Sequence, residues 1–460
     1  MKRTGILLLV LLPLLTAAQT RFNVRFSEPL AVYQFVQSLS AHAPDNAFKD
    51  AYQRSAFNDP AHNGLLAVFD TLRTYYSYDY TNYPYGQRTQ GSTEGLLKKH
   101  LINAATINDF KLQAVGIIPN IDLITLTDIL NQFQPVYRSL IYLPNKTAFE
   151  KQLDTLRYLV KTVNIPAYFD AGVQFYHAAW DSSIPFEFAV YPLPDAGGFT
   201  ASAFQNIAVS AMQTHLEDYN VLLSVMMHEI FHILYDEESP AFKIQLERWF
   251  NDRPTKSSRY AWLLLNEALA TAMGNGYVYR QLNGQLDSTD WYNRTYINKM
   301  AKRIYPMVKD YIDRRQAIDK DFADAYIRIY DRDFDWLYDV DNVLAYRYLL
   351  TDDAQDFQAL GRLFPYRSVY EFSDEISGSS VEKMSTTPIT KLVAIYKDHQ
   401  RKLSLVKSTF EELKDWAPDA TTDFTRAILL KDKTWLIIFN NVKTNTADKL
   451  GVLKLKKDGY

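Results

Sequence analysis

Two histidines and a glutamate near the middle of the chain have the spacing of a metal site. The sequence His228-Glu229-Ile230-Phe231-His232 places two imidazoles four residues apart. On a helix these two rings share one face, because 3.6 residues make a turn, and both can bind one metal ion. Glu229 lies about a third of a turn away, where it can take a proton from a water that the metal polarises. The pattern predicts His228 and His232 as metal ligands and Glu229 as a general base.

The flanking sequence predicts that the motif lies on a buried helix. Residues 221–235 contain no Gly or Pro, and Asn220 is an available N-cap. The other side chains of this stretch are almost all apolar, which indicates a helix buried on every side. A buried Glu229 is costly unless a partner keeps it charged, and a metal ion would be that partner. The alternative is a core helix with neutral, hydrogen-bonded histidines and a glutamate in a salt bridge.

A second apolar helical stretch, residues 260–273, contains a candidate for the third ligand. Glu267 is the only acidic residue between Asp252 and Asp287. An acid isolated in an apolar segment needs a partner, because a buried carboxylate is poorly solvated. Two histidines leave a zinc site incomplete, so Glu267 is predicted to be the third protein ligand.

Two other arrangements are compatible with the same residues. Glu267 could form a buried salt bridge with Arg259 or Arg280, which stand near the ends of its helix. Glu237 and Glu238 are rival third ligands, although they follow the first helix so closely that the chain would have to turn sharply to bring them over the metal.

At these residues the chain resembles the gluzincin metallopeptidases, whose signature is H-E-x-x-H followed by a Glu ligand in an N-E-x-x-[AS]-like helix. Residues 266–270, Asn-Glu-Ala-Leu-Ala, match the second part of that signature. The resemblance implies a zincin-like catalytic domain, a zinc ion bound by His228, His232 and Glu267, and Glu229 as general base. It also implies that the substrate is a peptide or a protein.

Two features depart from the family pattern. The spacing between His232 and Glu267 is longer than in thermolysin-like or aminopeptidase-like members, which predicts an inserted helix at residues 241–250. Thr271 occupies the position where an Asp often follows the ligand Glu, so the partner that orients a ligand histidine is unidentified. Gluzincin-like sites also have a transition-state donor, commonly Tyr or His, for which the unranked candidates are Tyr260, Tyr277 and His215.

Two strands are predicted upstream of the motif, at residues 186–191 and 199–212, with a turn at 192–198 that contains Pro and Gly. Zincin-like domains have a small sheet before the first active-site helix, and its edge strand can pair with an extended substrate. Residues 204–211 are the predicted edge strand.

The whole chain is predicted to be α+β and mainly helical, with helical regions on both sides of the catalytic domain. The predicted organisation is a signal peptide at 1–18, a mostly helical region at 19–165, a catalytic domain with a helical C-terminal subdomain at 166–370 and a small α/β cap at 388–460. Polar residues at 371–387 predict a linker. The clearest further elements are strands at 22–26, 434–440 and 451–455 and helices at 29–39, 148–163, 298–315 and 322–329.

One loop is unusually aromatic. Residues 74–88 contain six tyrosines around Asn82 and Pro84. Such a loop can line a cleft for a peptide or a glycan, because Tyr offers a large contact area at low entropic cost. The alternative is that these rings pack the loop onto its own domain.

The composition limits the function classes. A content of 47% hydrophobic and 22% charged residues is typical of a soluble globular protein, and a net charge of −3 gives no electrostatic footprint for nucleic acid. Lys2 and Arg3 followed by an apolar stretch to Ala18 predict a signal peptide, and the absence of Cys favours a bacterial periplasmic or secreted protein. No later segment is apolar for long enough to span a membrane. The alternative to a zinc peptidase is a secreted, aromatic-rich binding protein for glycans or peptides, whose zinc site is structural or absent.

Overall fold

The computed structural model describes residues 19–194, 200–253 and 255–456. The predicted signal peptide and residues 195–198 of the predicted turn lie outside these residues. Helices make up 55% of the structure and strands 14%, so the predicted mixed and mainly helical class is confirmed. No helix of the described ranges is both long enough and apolar enough to cross a membrane.

The N-terminal part of the structure is mostly helical, as predicted. Its elements are β1 (Phe22–Arg25), α1 (Glu28–Leu39), α2 (Ala47–Gln53), α3 (Pro60–Phe69), β2 (Ser77–Tyr78), β3 (Gly91–Ser92), α4 (Thr93–Asn103), α5 (Ile107–Gln113), α6 (Asn120–Tyr137), α7 (Leu143–Thr162) and α8 (Ile165–Phe175). One π-helical turn, Arg138–Tyr142, joins α6 to α7. The predicted strand at 22–26 and helices at 29–39 and 148–163 correspond to β1, α1 and α7.

The middle of the chain has a small group of strands followed by helices. Its elements are β4 (Phe186–Leu193), β5 (Ala201–Phe204), β6 (Ile207–Gln213), α9 (Tyr219–Asp236), α10 (Pro240–Asn251), α11 (Ser258–Thr271), α12 (Tyr279–Asn283), α13 (Thr295–Asp313) and α14 (Lys320–Asp333). The predicted inserted helix at 241–250 is α10. The helices predicted at 298–315 and 322–329 are α13 and α14.

The last part of the chain alternates strands and helices. Its elements are α15 (Val340–Leu344), β7 (Tyr346–Thr351), α16 (Gln355–Leu363), β8 (Val369–Ser373), α17 (Gly378–Thr386), β9 (Thr390–Ile395), α18 (His399–Thr409), β10 (Phe424–Leu429), β11 (Trp435–Asn440) and α19 (Thr446–Gly451). β11 confirms the strand predicted at 434–440. The strand predicted at 451–455 is wrong. Its first residue, Gly451, is the last residue of helix α19, and residues 452–455 form no strand.

The first sheet has the strand order β1-β4-β6-β5, in which only β5 is antiparallel to its neighbour. The predicted edge strand at 204–211 is wrong, because β6 is an inner strand and β5 forms the edge. Gln205 adopts a positive φ of 55°, and the resulting turn splits the predicted strand at 199–212 into a hairpin. Six of the seven residues of β6 are buried, as expected for a strand covered on both faces.

This first sheet separates two apolar cores. Ala189, Ile207 and Val209 pack with the N-terminal helices. Phe188 and Met212 point to the opposite side and join a larger core with α9 and α11. The alternation of strand side chains therefore fixes the sheet between the N-terminal helical region and α9.

The second sheet has the order β10-β11-β9-β7-β8, with β10 the antiparallel strand. It contains β7 and β8 as well as β9 to β11, so it includes strands from both sides of the predicted linker. The linker prediction is wrong: residues 371–373 belong to β8, and α17 begins with a capping box made by Ser377 and Ser380. Val381 and Met384 are buried beneath α17, and the polar residues that suggested a linker lie mainly on its outer face and at its cap.

Glu238 and Lys243 form an ion pair with no solvent exposure below the end of α9. The Lys243 Nζ lies 2.9 Å from Glu238 Oε2. We expect Lys243→Met to lower the free energy of unfolding by about 3–5 kcal/mol, because it leaves a buried carboxylate without its partner. Urea unfolding measures this loss. The double variant that also carries Glu238→Gln should regain much of it, and a single variant as stable as the wild type would contradict the role of the pair.

Candidate metal centre

Helix α9 carries the motif and begins two residues before it was expected to. Its N-cap is Asp218, whose carboxylate accepts hydrogen bonds from the backbone N–H groups of Asn220 (3.0 Å) and Val221 (3.1 Å). The predicted cap, Asn220, is the second residue of the helix instead, and its side-chain amide bonds Asn283 at 3.0 Å. An acidic cap is favourable here because it faces the positive end of the helix dipole.

The three predicted ligands converge at one point. The Nε2 atoms of His228 and His232 are 3.0 Å apart, and the Glu267 Oε2 lies 3.8 Å and 3.6 Å from them. Ligands of a tetrahedral zinc ion are separated by about 3.3 Å, since each bond is about 2.0–2.1 Å long. Among the described residues these three form the one group of His and acidic ligand atoms close enough together to hold a metal.

The pKa values of the two rings are shifted in opposite directions. Burial and the charge of His232 lower the pKa of His228. Burial lowers the pKa of His232 too, but the carboxylates of Glu267 and Glu229 outweigh it and raise the pKa overall. Two Nε2 atoms so close together cannot both carry a proton, and the buried Glu267 Oε2 has no hydrogen-bond partner among the described residues. A cation at this point would satisfy all three atoms, so the residues fit a zinc ion.

The alternative salt bridges of Glu267 are not formed. Arg259 binds Glu247 at 3.1 Å, and Arg280 contacts the hydroxyl of Tyr305 at 3.4 Å. Both arginines therefore have other partners, and the prediction that Glu267 is a structural ion-pair residue with either of them is wrong.

The rival ligands just after the motif are also engaged elsewhere. Glu237 binds Arg88 at 2.9 Å, and Glu238 forms the buried pair with Lys243. Neither glutamate lines the cavity that contains the histidines. The turn that ends α9 therefore directs both side chains away from the metal centre.

Glu229 lies beside the ligands in the position expected of a base. Burial raises its pKa to about 7; His232 opposes this rise and Glu267 adds to it. Glu229 lines the same cavity as His228 and His232. A carboxylate with a pKa near neutrality can both accept and release a proton.

Asn266 orients one of the ligand rings. Its side-chain Oδ1 lies 2.9 Å from the Nδ1 of His232. A hydrogen bond from Nδ1–H to this oxygen selects the tautomer whose Nε2 has a free lone pair for the metal. Asn266 is thus the partner that orients a ligand histidine, which the sequence analysis did not identify. Its position directly before Glu267, in the Asn-Glu part of the second motif, could have indicated it.

We expect Asn266→Ala to weaken zinc binding by about 10- to 100-fold, because the His232 ring loses the bond that fixes its tautomer and direction. Competition with a fluorescent zinc chelator measures the affinity. Asn266→Asp, which keeps the acceptor oxygen, should lie closer to the wild type. An unchanged affinity in the alanine variant would contradict the orienting role.

The helix that carries Glu267 changes its winding next to the motif. After α11 the chain forms a π-helical segment, Ala272–Val278, before it returns to α-helix in α12. A Cβ on Gly274 would lie only 2.6 Å from the Cα of His228. The absence of a side chain therefore lets this segment approach α9 closely enough for Glu267 to reach the two histidines, and π-helical turns often occur at functional sites.

We expect Gly274→Ala to destabilise the fold by about 1–3 kcal/mol, because the added methyl group collides with the backbone of α9. Zinc affinity should fall as well, since the collision separates Glu267 from His228. Thermal unfolding with and without zinc measures both effects. Gly361→Ala is the matched control, because Gly361 lies in helix α16 with no atom near a new Cβ; equal effects of the two variants would rule out the close approach as the cause.

The metal centre opens into a cavity of about 1000 Å³. One wall is the edge strand β5, which contributes Ala201, Ser202 and Ala203. Residues of the loop at 287–293 and residues 366–368 also line the cavity. The cavity therefore gives a substrate access to the face of α9 that carries the ligands.

The three predicted transition-state donors lie outside this cavity. The Tyr260 hydroxyl is buried between Thr390 (2.8 Å) and the backbone N–H of Trp435 (2.9 Å). Tyr277 packs against Tyr168 with ring centroids 6.1 Å apart. Neither Tyr277 nor His215 lines the cavity. The prediction that the transition-state donor is Tyr260, Tyr277 or His215 is therefore wrong.

Two other tyrosines stand at the metal centre. The ring of Tyr292 lies 5.9 Å from that of His228 and 6.3 Å from that of Tyr366, and both tyrosines line the cavity. Burial, the charge of Glu267 and a hydrogen bond to that carboxylate raise the pKa of Tyr366. No spacing rule links these residues to the motif, because they come from a loop and a segment far along the chain.

The tyrosine-rich loop, residues 74–88, packs onto the end of α9. Arg88 donates to the carbonyl oxygen of Asp236 at 2.9 Å, and Gln87 accepts a hydrogen bond from Tyr235 at 2.5 Å. The next residue, Thr89, binds the Asp236 carboxylate at 3.1 Å through its backbone N–H. No tyrosine of this loop is among the residues that line the cavity. Gln87, Arg88 and Thr89 therefore anchor the loop to α9, but Tyr75, Tyr76, Tyr78 and Tyr80 are exposed, so the packing alternative accounts for only part of the loop.

No protein-family model, curated protein or solved structure matches this chain. The resemblance to the gluzincins thus depends on the two motifs and on the geometry that brings them together. The function of the chain therefore has to follow from the chemistry of His228, His232, Glu267 and Glu229.

Proposed function

We propose that this chain is a zinc-dependent peptidase with a zincin-like catalytic domain. The observation that carries the proposal is the convergence of His228, His232 and Glu267 at one point of an open cavity that Glu229 also lines. Structural zinc sites have four protein ligands, whereas catalytic sites keep a position open. Three ligand residues facing a cavity favour catalysis over the alternative of a binding protein with a structural zinc site.

The residues of the chain divide the work of peptide-bond hydrolysis. When bound, zinc supplies a Lewis acid that polarises the scissile carbonyl and acidifies water. Glu229 takes the proton of the attacking water and passes it to the leaving amine. The phenol hydroxyls of Tyr292 and Tyr366, which both line the cavity, are the candidate donors that stabilise negative charge on the carbonyl oxygen.

The position of β5 supports an extended peptide as the substrate. β5 is the edge of the first sheet and lines the cavity with Ala201, Ser202 and Ala203. Its outer backbone groups can pair with a substrate main chain, which holds the scissile bond over the metal without requiring particular side chains. This edge strand has the role that the sequence assigned to residues 204–211.

The location that accompanies this function is the periplasm or the outside of a bacterial cell. The proposal depends on residues 1–18, whose sequence has the charged start, apolar middle and small residues of a signal peptide. N-terminal sequencing of the exported protein tests it: a chain that starts at Gln19 supports cleavage, and a chain that keeps Lys2 and Arg3 contradicts it.

Metal analysis and digestion of an unbiased peptide mixture test the proposed function together. We expect about one zinc ion per chain and new peptide termini detected by mass spectrometry. Removal of the metal with a chelator should abolish cleavage, and added zinc should restore it. A zinc-loaded protein that cleaves no peptide, or cleavage that persists without metal, would overturn the proposal.

A further inference from the structure

The second sheet ends in a free edge beside the catalytic cavity. β8 is its outermost strand, and among the described residues its backbone pairs only with β7 and the residue before it. Ser368, which lines the cavity, directly precedes β8. A polypeptide that leaves the cavity past Ser368 therefore meets a row of unpaired backbone groups.

This edge lacks the features that normally block pairing with another chain. Edge strands are usually short, bear charges or contain Pro. β8 has five residues and no Pro, and its one charged residue, Glu371, is neutralised by Lys383 at 2.6 Å and accepts a hydrogen bond from Tyr85 at 2.5 Å. The opposite edge strand, β10, has no fully exposed side chain. A strand edge without such protection can bind another polypeptide as an additional strand.

The exposed side chains of β8 are aromatic. Tyr370 is 50% and Phe372 39% exposed, and both point to the face opposite Glu371 because strand side chains alternate. Arg367, at the rim of the cavity, stacks on Tyr370 with its guanidinium 4.7 Å from the ring centroid. The aromatic surface is therefore continuous with the cavity.

The tyrosine-rich loop lies against β8. The Tyr85 hydroxyl donates a hydrogen bond to Glu371 at 2.5 Å, and a Cβ on Gly86 would lie 3.1 Å from the Val369 side chain. Both contacts are with side chains on the face of β8 opposite Tyr370 and Phe372, so the loop leaves these two rings exposed.

We propose that this surface is an exosite that binds an extended segment of a polypeptide substrate, which adds to β8 as a sixth strand. The backbone of the segment pairs with the free edge, and its alternate side chains contact Tyr370 and Phe372. The inference rests on the proposed peptidase function, because the segment is the continuation of a chain held in the cavity. A free strand edge selects a polypeptide over a glycan, since sugars have no repeating backbone N–H and C=O groups to match it.

The exosite predicts a preference for long, unfolded substrates. Each substrate residue in extended conformation spans about 3.3 Å, so pairing along the five residues of β8 requires several substrate residues beyond those held in the cavity. The ratio of kcat/KM for a long peptide to kcat/KM for a short one therefore measures the contribution of the exosite. The chemistry at the metal is the same for both peptides and cancels from the ratio.

The direct test is binding of fluorescein-labelled β-casein, an unfolded polypeptide, to the full-length mature protein with the Glu229→Gln substitution. We expect Tyr370→Thr and Phe372→Thr together to raise the Kd by about tenfold or more, because the bound segment loses two aromatic contacts. Thr preserves strand propensity, and circular dichroism with thermal unfolding checks the fold. Tyr158→Thr, on the remote helix α7 with 66% exposure, is the matched control and should leave the Kd unchanged.

The outcomes separate the exosite from the peptidase. Weaker casein binding in the β8 variants supports the exosite even when the wild type cleaves no peptide, a result that would remove only the proposed activity. Hydrolysis with a Kd that the β8 variants leave unchanged would overturn the exosite alone. Competition by cellohexaose, a neutral oligosaccharide, with no competition by unlabelled casein would assign the rings to sugar and also overturn it. If the double variant unfolds, Tyr370→Thr alone must raise the Kd, and an unchanged value contradicts the proposal.

Discussion

Glu229→Gln is expected to keep its zinc and to lose hydrolytic turnover by roughly two to four orders of magnitude. The amide preserves the shape of the side chain and its place in the cavity, but it cannot accept the proton of the attacking water. The ligands His228 and His232 are unchanged, so metal content should stay at about one zinc per chain. Turnover of a cleaved peptide and metal content, measured on the same preparation, check both parts.

Glu237→Gln is the matched control for this variant. Glu237 follows the same helix but binds Arg88 and does not line the cavity. We expect near wild-type turnover and at most a small loss of stability, since exposed ion pairs contribute about 0–1 kcal/mol. Unchanged turnover in Glu229→Gln would mean that another residue is the base. Loss of zinc in that variant would instead mean that Glu229 is itself a ligand.

His232→Ala is expected to remove zinc from the protein. The Nε2 of His232 lies 3.0 Å from that of His228 and 3.6 Å from Glu267 Oε2, so it is one of the three atoms that converge on the metal position. Two protein ligands are too few for a stable zinc site, and the remaining His228 and Glu267 should not retain the ion through dialysis. Metal analysis after dialysis against dilute chelator measures the loss.

The control for the histidine variant is His100→Ala. His100 lies on α4 and contacts Gln113 at 3.4 Å, away from the cavity. It should retain a full complement of zinc. Near-stoichiometric zinc in His232→Ala would show that the metal is bound elsewhere, and the assignment of the site would then be wrong.

The core of the candidate site could be predicted from the sequence because it depends on local geometry. The spacing of His228 and His232 places them on one face of any helix, whatever surrounds it. The isolation of Glu267 in an apolar segment indicated a partner, because an unpaired buried carboxylate is costly. Length and periodicity were also sufficient for α1, α7, α13 and α14, whereas α10 was predicted from the long spacing between His232 and Glu267.

The supporting residues could not be predicted, because they come from distant parts of the chain. Tyr292 and Tyr366 carry no spacing signal that connects them to the motif. The predicted donor Tyr260 is instead bonded within the core. With 32 tyrosines in the chain, residue type alone does not separate a site residue from a packing residue.

Sheet order and the second sheet were likewise decided only by the tertiary structure. Residues 371–387 look like a linker by composition, yet β8 pairs with β7, and α17 buries Val381 and Met384. The edge of the first sheet is β5 because the turn at Gln205 reverses the chain. The sequence by itself determined which residues share a helix face and which acids need a partner, since these follow from the helical period and the cost of burying charge. Which strands pair, which rings surround the metal and which glycine lets two helices meet depend on contacts between residues far apart in the chain, and only the folded structure brings those residues together.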